Sequence, residues 1–143
     1  MNAIVRALAG AVLGAAATFP MNVAFAVGQR VGAIDTLPPL TVVSVVSAHL
    51  GARRRRDVAA ISHLLVGAAA GSAYLVATPR KRLGVATGIL CGILVWIIGY
   101  ESVMPAAADM PRAHRDRRPR AATILIAHVV FGASLGALAR RRR

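Results

Sequence analysis

The chain of 143 residues is long enough for one domain, and 57% of it is hydrophobic while only 16% is charged. A soluble domain runs at about 45–50% apolar and about 25% charged, so this composition, with a mean hydropathy of +0.61 and few aromatic residues, suits helices packed in lipid. The hydrophobicity excludes a disordered chain, the single Cys91 excludes a disulfide scaffold, and the net charge of +13 comes from 17 Arg and one Lys against four Asp and one Glu.

Four runs reach the roughly 20 apolar residues that a membrane crossing needs. The first, Ile4–Val27, is interrupted only by Arg6, Pro20 and Asn22. Its Ala24-Phe25-Ala26 resembles a signal-peptidase site, but the run is longer than an ordinary signal core, and an uncleaved spanning helix is expected. The loop that follows carries Pro38-Pro39 and then a mostly apolar stretch to Leu50. Proline suits a first helical turn, and a helix over about 38–50 is too short to cross, so it is expected to lie at the interface. A fifth span from Ile34 to Ala52 is the competing reading.

Ala59–Thr78 is the second span, with His63 as its one ionisable residue, and Leu83–Met104 is the third, with Glu101. The link Pro79-Arg80-Lys81-Arg82 is so short that the second and third spans should be antiparallel neighbours. Ala121–Ala139 is the fourth span and carries His128. The expected fold is therefore an all-α membrane protein, a single domain over 1–143 with four transmembrane helices in two pseudo-repeated hairpins and one interfacial helix.

The repeat is visible in the glycines. His63-x3-Gly67-x3-Gly71 matches His128-x3-Gly132-x3-Gly136, and the first and third spans carry Gly10/Gly14 and Gly84/Gly88/Gly92. Residues four apart share a helix face, and a glycine stripe lets two backbones approach closely in lipid. All nine glycines are expected at helix contacts. Two halves of the same sense suggest a twofold axis along the membrane normal, which would exchange His63 with His128 and bring Asn22 nearest to the position of Glu101.

Several of these motifs together resemble the YagU-like family of small inner-membrane proteins of unassigned function. They are His63…Gly67…Gly71…Tyr74, Gly84…Gly88…Trp96, Met104-Pro105, Met110-Pro111, His128…Gly132 and the Pro38-Pro39 pair. The resemblance implies a multi-pass protein of the cell inner membrane with both termini cytoplasmic and the proline-bearing loops outside. This chain departs from that pattern in charge, because Arg53–Arg56 and the Arg112–Arg120 cluster would then lie outside. Charge counting gives eight basic residues on one side (Arg6, Arg80, Lys81, Arg82, Arg140–Arg143) and ten on the other, too even for the positive-inside rule to choose.

No phosphate loop, zinc-protease helix, cysteine pair or nucleophile elbow is present, and an enzyme is not expected. Cys91 reads as a small apolar residue within the third span. Ionisable residues within spans are candidate sites by default, so His63, Glu101 and His128 form the candidate ligand or ion cluster. Two histidines at one depth also raise haem or a metal, but glycine seams oppose the cavity that a macrocycle needs, and no cofactor is expected. The arginine runs sit at span ends, where anionic headgroups attract them at about 1 kcal/mol each, rather than on a nucleic-acid reading fold. The resulting expectation is a non-enzymatic structural or accessory membrane protein, in a homo-oligomer or with other membrane subunits. The alternative is a small transporter, channel or ligand-binding protein built on the His63/Glu101/His128 cluster.

Overall fold

The computed structural model describes residues 2–108 and 110–141. Asp109, Arg142 and Arg143, which belong to the loop and terminal charges counted above, lie outside the described residues. The order is α1 (Ala3–Arg30), α2 (Pro38–Val46), α3 (Ala52–Ala77), a 3-10 turn at Arg80–Arg82, then α4 (Val85–Trp96). The helix widens into a π-helical stretch over Ile97–Val103 and returns to α-geometry in α5 (Met104–Ala108). After a 3-10 turn at Ala113–Arg115, α6 runs from Arg118 to Arg140. Among the described residues there is no strand.

Four stretches are long and apolar enough to cross a bilayer: α1, α3, the composite span Val85–Ala108, and α6. This is an all-α, multi-pass helical protein. The side chains are arranged accordingly. On α1, Gly10, Gly14, Ala17, Met21, Phe25 and Gly28 are buried on one face, while Leu8, Val12, Phe19 and Val23 are exposed on the other. Phe19 is 66% exposed and Leu65 of α3 is 64% exposed, an outward apolar surface that lipid satisfies and water does not.

Two boundaries differ from expectation. The interfacial helix stops at Val46, where the chain turns at Ser47, so α2 has nine residues and no fifth span forms. α3 begins at Ala52 and carries Arg53–Arg56 within its first turns, because arginine is a good helix former and nothing in the run breaks a helix. α1 is one helix from Ala3 to Arg30 with Pro20 inside it, as the expected uncleaved span requires.

The glycines set the packing. A methyl group built at Gly10 would fall on the Gly71 carbonyl oxygen, and one at Gly14 on that of Gly67. In the second pair, one at Gly88 would fall on the Gly132 carbonyl, one at Gly92 on that of His128, and one at Gly136 on that of Gly84. Numbers rise along one helix as they fall along its partner, so α1/α3 and α4/α6 are both antiparallel and in backbone contact. The matching contacts put Gly10 and Gly14 in register with Gly84 and Gly88, and Gly67 and Gly71 in register with Gly132 and Gly136.

The two pairs are joined unequally. α1 also packs extensively on α6, whereas α3 and α4 meet only sparsely. A true twofold would make those two contacts equivalent, so the repeat holds within each pair and not between them. The short link does not make α3 and α4 principal neighbours. Tyr74 bridges them instead: its hydroxyl accepts from the Gly84 N–H at 3.1 Å and lies 2.9 Å from the Thr87 hydroxyl. The cause of the asymmetry is α6, whose buried positions Ile124, Ala127, His128, Phe131, Gly132, Leu135, Gly136 and Ala139 make a stripe broad enough for two partners. The core gathers Leu13, Met21 and Phe25 of α1 with Tyr100, Ile124, Phe131 and Leu135.

Candidate functional site: the polar end of the bundle

Antiparallel packing collects the end of α1, all of α2, the start of α3, the end of the third span and the start of α6 at one end of the bundle. Every sequence-predicted ionisable residue lies toward that end, but the structure divides the set. His128 is buried in α6, and its ring Nδ1 lies 2.8 Å from the carbonyl of Ile124. A carbonyl only accepts, so Nδ1 carries the proton and the ring is tied to its own helix. His63 makes no hydrogen bond within the described residues; its ring lies 6.1 Å from that of Phe25.

Glu101 pairs with neither of them. Its carboxylate lies 3.1 Å from Nδ1 of His114 and accepts the His114 backbone N–H at 3.3 Å. The reason is the loop 110–117, which folds back over the end of the third span and presents His114 in its 3-10 turn. The expected cluster is thus divided: His128 is held by Ile124, His63 lies beside Phe25, and Glu101 pairs with His114. Among the described residues no group of three or more His, Cys, Asp and Glu is placed to hold a metal ion.

Beside Glu101 is a network that the sequence reading did not single out. Tyr100, 1% exposed, donates its hydroxyl to the Asp116 carboxylate. The same carboxylate accepts the Arg117 backbone N–H at 2.7 Å and lies 3.3 Å from Nε of Arg120. That last contact is an ion pair without hydrogen-bond alignment. Asp116 therefore sits at the start of α6, where its charge opposes the positive end of the helix dipole and offsets Arg118 and Arg120 of the first turn. The π-helical stretch is what turns Tyr100 inward; such insertions concentrate at functional sites. On the outer rim, Arg117 donates to Asp35 at 2.7 Å, tying the α1–α2 loop to α6.

Two crevices open at this end. The first, of ≈ 260 Å³, lies between α1, α2 and α3, with Asn22, Gln29, Arg56 and His63 as its polar lining. The second, of ≈ 240 Å³, is lined by Trp96, Glu101, His114, Ala121 and Leu125 among others. The seam register makes them counterparts. The offset from Gly14 to Gly88 carries Asn22 onto Trp96, and that from Gly67 to Gly132 carries Arg56 onto Ala121 and Ala60 onto Leu125. Asn22 therefore corresponds to Trp96, not to Glu101. The spacing of the glycines held this information, but only the contacts reveal which glycine faces which.

The chemistry of the crevices differs. In the second, Glu101 and His114 satisfy each other, and the buried Trp96 Nε1 has no hydrogen-bond partner among the described residues. In the first, the side chains of Asn22, Gln29, Arg56 and His63 make no hydrogen bond or ion pair among the described residues. No known family model, characterised protein or solved structure matches this chain.

Proposed function

We propose that the protein is a non-enzymatic structural or accessory component of a membrane assembly, working as a homo-oligomer or alongside other membrane subunits. The observation that supports this reading is the closure of both helix pairs, backbone against backbone, at five glycine-centred contacts named above. Helices so close leave no room between them for a conducting path or a macrocycle. The third span, of whose apolar window only 11% is buried against 33% for α1 and α6, leaves most of its apolar residues uncovered for a neighbour in the membrane. The likeness of the motifs to the YagU-like family supports placement in the inner membrane with both termini cytoplasmic.

Reconstitution tests the reading. Purified protein in liposomes should give no ion current or solute uptake above empty vesicles. Native mass spectrometry from mild detergent should show a defined oligomer or co-purified membrane subunits. Selective, saturable flux would overturn the proposal in favour of a transporter or channel, and a strictly monomeric protein with no companion would overturn the assembly role.

A further inference from the structure

We propose that the crevice between α1, α2 and the start of α3 binds the headgroup region of one anionic phospholipid, with its phosphate at Arg56 and its ester carbonyls at Asn22 and His63.

The polar residues come in two levels. Arg56 and His63 are seven residues apart on α3, which is about 10 Å along the axis at 1.5 Å per residue. Gln29 and Asn22 are likewise seven apart on α1, and the antiparallel packing sets Gln29 level with Arg56 and Asn22 level with His63. The outer level thus has a guanidinium and an amide, and the inner level an amide and an imidazole. A phospholipid has the same order, an anionic phosphate outermost and ester carbonyls, which accept hydrogen bonds, several ångströms deeper. The walls between the levels include Leu37, Pro39 and Leu40 of the α2 segment, apolar surface suited to glycerol and the first methylenes. No acidic residue lines the crevice, so nothing opposes an anion there.

The unpaired state of these groups is the second argument. Asn22 and His63 lie within membrane-spanning helices, where an unsatisfied polar group is costly. The counterpart crevice carries less of that cost: Ala121 stands in place of Arg56 and Glu101 finds His114, leaving only the Trp96 Nε1 without a partner among the described residues. His128, the repeat partner of His63, takes the carbonyl of Ile124. The first crevice keeps four donor-bearing side chains and supplies none of them with an acceptor. A phosphate and two esters are acceptors only. Guanidinium–phosphate contacts are charge-assisted and strong, and arginine suits them geometrically.

The test uses the full chain in nanodiscs of phosphatidylcholine doped with phosphatidylglycerol, with lipid retained per protein read by native mass spectrometry. One phosphatidylglycerol should be retained in preference to phosphatidylcholine. Arg56→Gln should lower that retention by about tenfold, the loss of one charge-assisted contact, while Arg54→Gln, which removes the same charge outside the crevice, should leave it unchanged. The double substitution of Asn22→Ala with His63→Leu should also weaken retention. Thermal unfolding in detergent with inorganic phosphate separates the two sources of the anion. Stabilisation by phosphate that Arg56→Gln abolishes, without any retained lipid, would overturn the lipid assignment in favour of a soluble phosphate. Equal effects of Arg54→Gln and Arg56→Gln, or no preference for phosphatidylglycerol, would overturn the site altogether.

Discussion

The Tyr100 hydroxyl donates to the Asp116 carboxylate, joining the π-helical end of the third span to the second residue before α6. Asp116 is 4% exposed at its side chain, so the carboxylate depends on this hydroxyl, the Arg117 N–H and Arg120 for what water would otherwise supply. Losing one donor to a buried charged acceptor costs about 1.5–3 kcal/mol. Tyr100→Phe should destabilise the detergent-solubilised protein by about that amount in urea or thermal unfolding. Asp116→Ala should cost more, because it leaves Arg120 half-buried without its counter-charge. Equal stability of Tyr100→Phe and the parent would mean that the contact contributes nothing.

The glycine seams carry a sharper expectation, because a methyl group meets backbone, which cannot swing aside. Gly14→Ala and Gly88→Ala should each cost about 1–3 kcal/mol, the usual range for overpacking, and Gly67→Leu or Gly132→Leu should prevent the helix pair from forming. Gly99, in the π-helical stretch, has nothing within 4 Å of a built methyl. Gly99→Ala should therefore be neutral or stabilising by about 0.5–1 kcal/mol, since alanine is the better helix residue. Unfolding measurements that ranked Gly99→Ala with the seam variants would refute the packing argument.

How far the sequence carries the reader depends on the range of the interaction. Spans are a property of local composition, so Ile4–Val27 and Ala121–Ala139 are legible from hydropathy and length within a few residues of α1 and α6. The glycine stripes are legible as helix faces from their four-residue spacing. Their partners are not, because spacing on one helix carries no information about register on another; hence the repeat alone sets Asn22 against Glu101, whereas the contacts make Trp96 its counterpart. Glu101 found His114 through a loop rich in arginine and proline whose fold has no periodic signal. The π-helical stretch at Ile97–Val103 has no proline within it and is invisible in composition, yet it decides where Tyr100 and Glu101 point. The unequal joining of the pairs accompanies the further buried apolar positions of α6, Phe131 and Leu135 among them, which the His-x3-Gly-x3-Gly motif does not encode.

In the sequence Arg6 is a charge at a span end; in the structure it closes a helix. Its guanidinium donates to the carbonyl of Thr78 at 2.6 Å and also to that of Leu75, satisfying acceptors at the end of α3 that have no helical partner. A cation there also complements the helix dipole. Arg6→Gln should lower stability by about 1–2 kcal/mol. It should also speed amide hydrogen exchange near the α3 C-terminus and the link 79–82, leaving the α4/α6 seam protected. Uniform acceleration over the whole bundle would mean that Arg6 acts globally rather than as a cap.

The Glu101–His114 pair should behave differently, because His114 is 56% and Glu101 25% exposed at the side chain. Solvent screens such pairs to about 0–1 kcal/mol. A double-mutant cycle with Glu101→Gln and His114→Ala should return a coupling inside that range, and smaller still in high salt. A coupling above about 2 kcal/mol, insensitive to salt, would place the pair out of reach of water, contrary to the exposure seen here.

Topology is the last prediction, and it rests on the two antiparallel seams. If α1 runs one way, α3 runs back, the third span follows α1, and α6 follows α3. The residues Arg53 at the start of α3, Ser47 after α2 and Arg117 before α6 must then share one side of the membrane. Asn2 and Lys81 must share the other. In a Cys91→Ala background, single cysteines at these five positions should fall into two classes with a membrane-impermeant maleimide applied to intact cells: Ser47→Cys, Arg53→Cys and Arg117→Cys in one, Asn2→Cys and Lys81→Cys in the other. With both termini cytoplasmic, the first class labels from outside. If the classes hold but their sides are reversed, the fold stands and the orientation taken from the YagU-like resemblance is wrong. If Arg53→Cys and Arg117→Cys instead label with Asn2→Cys, the segment between α1 and α3 crosses the membrane, and α2 is part of a span rather than an interfacial helix.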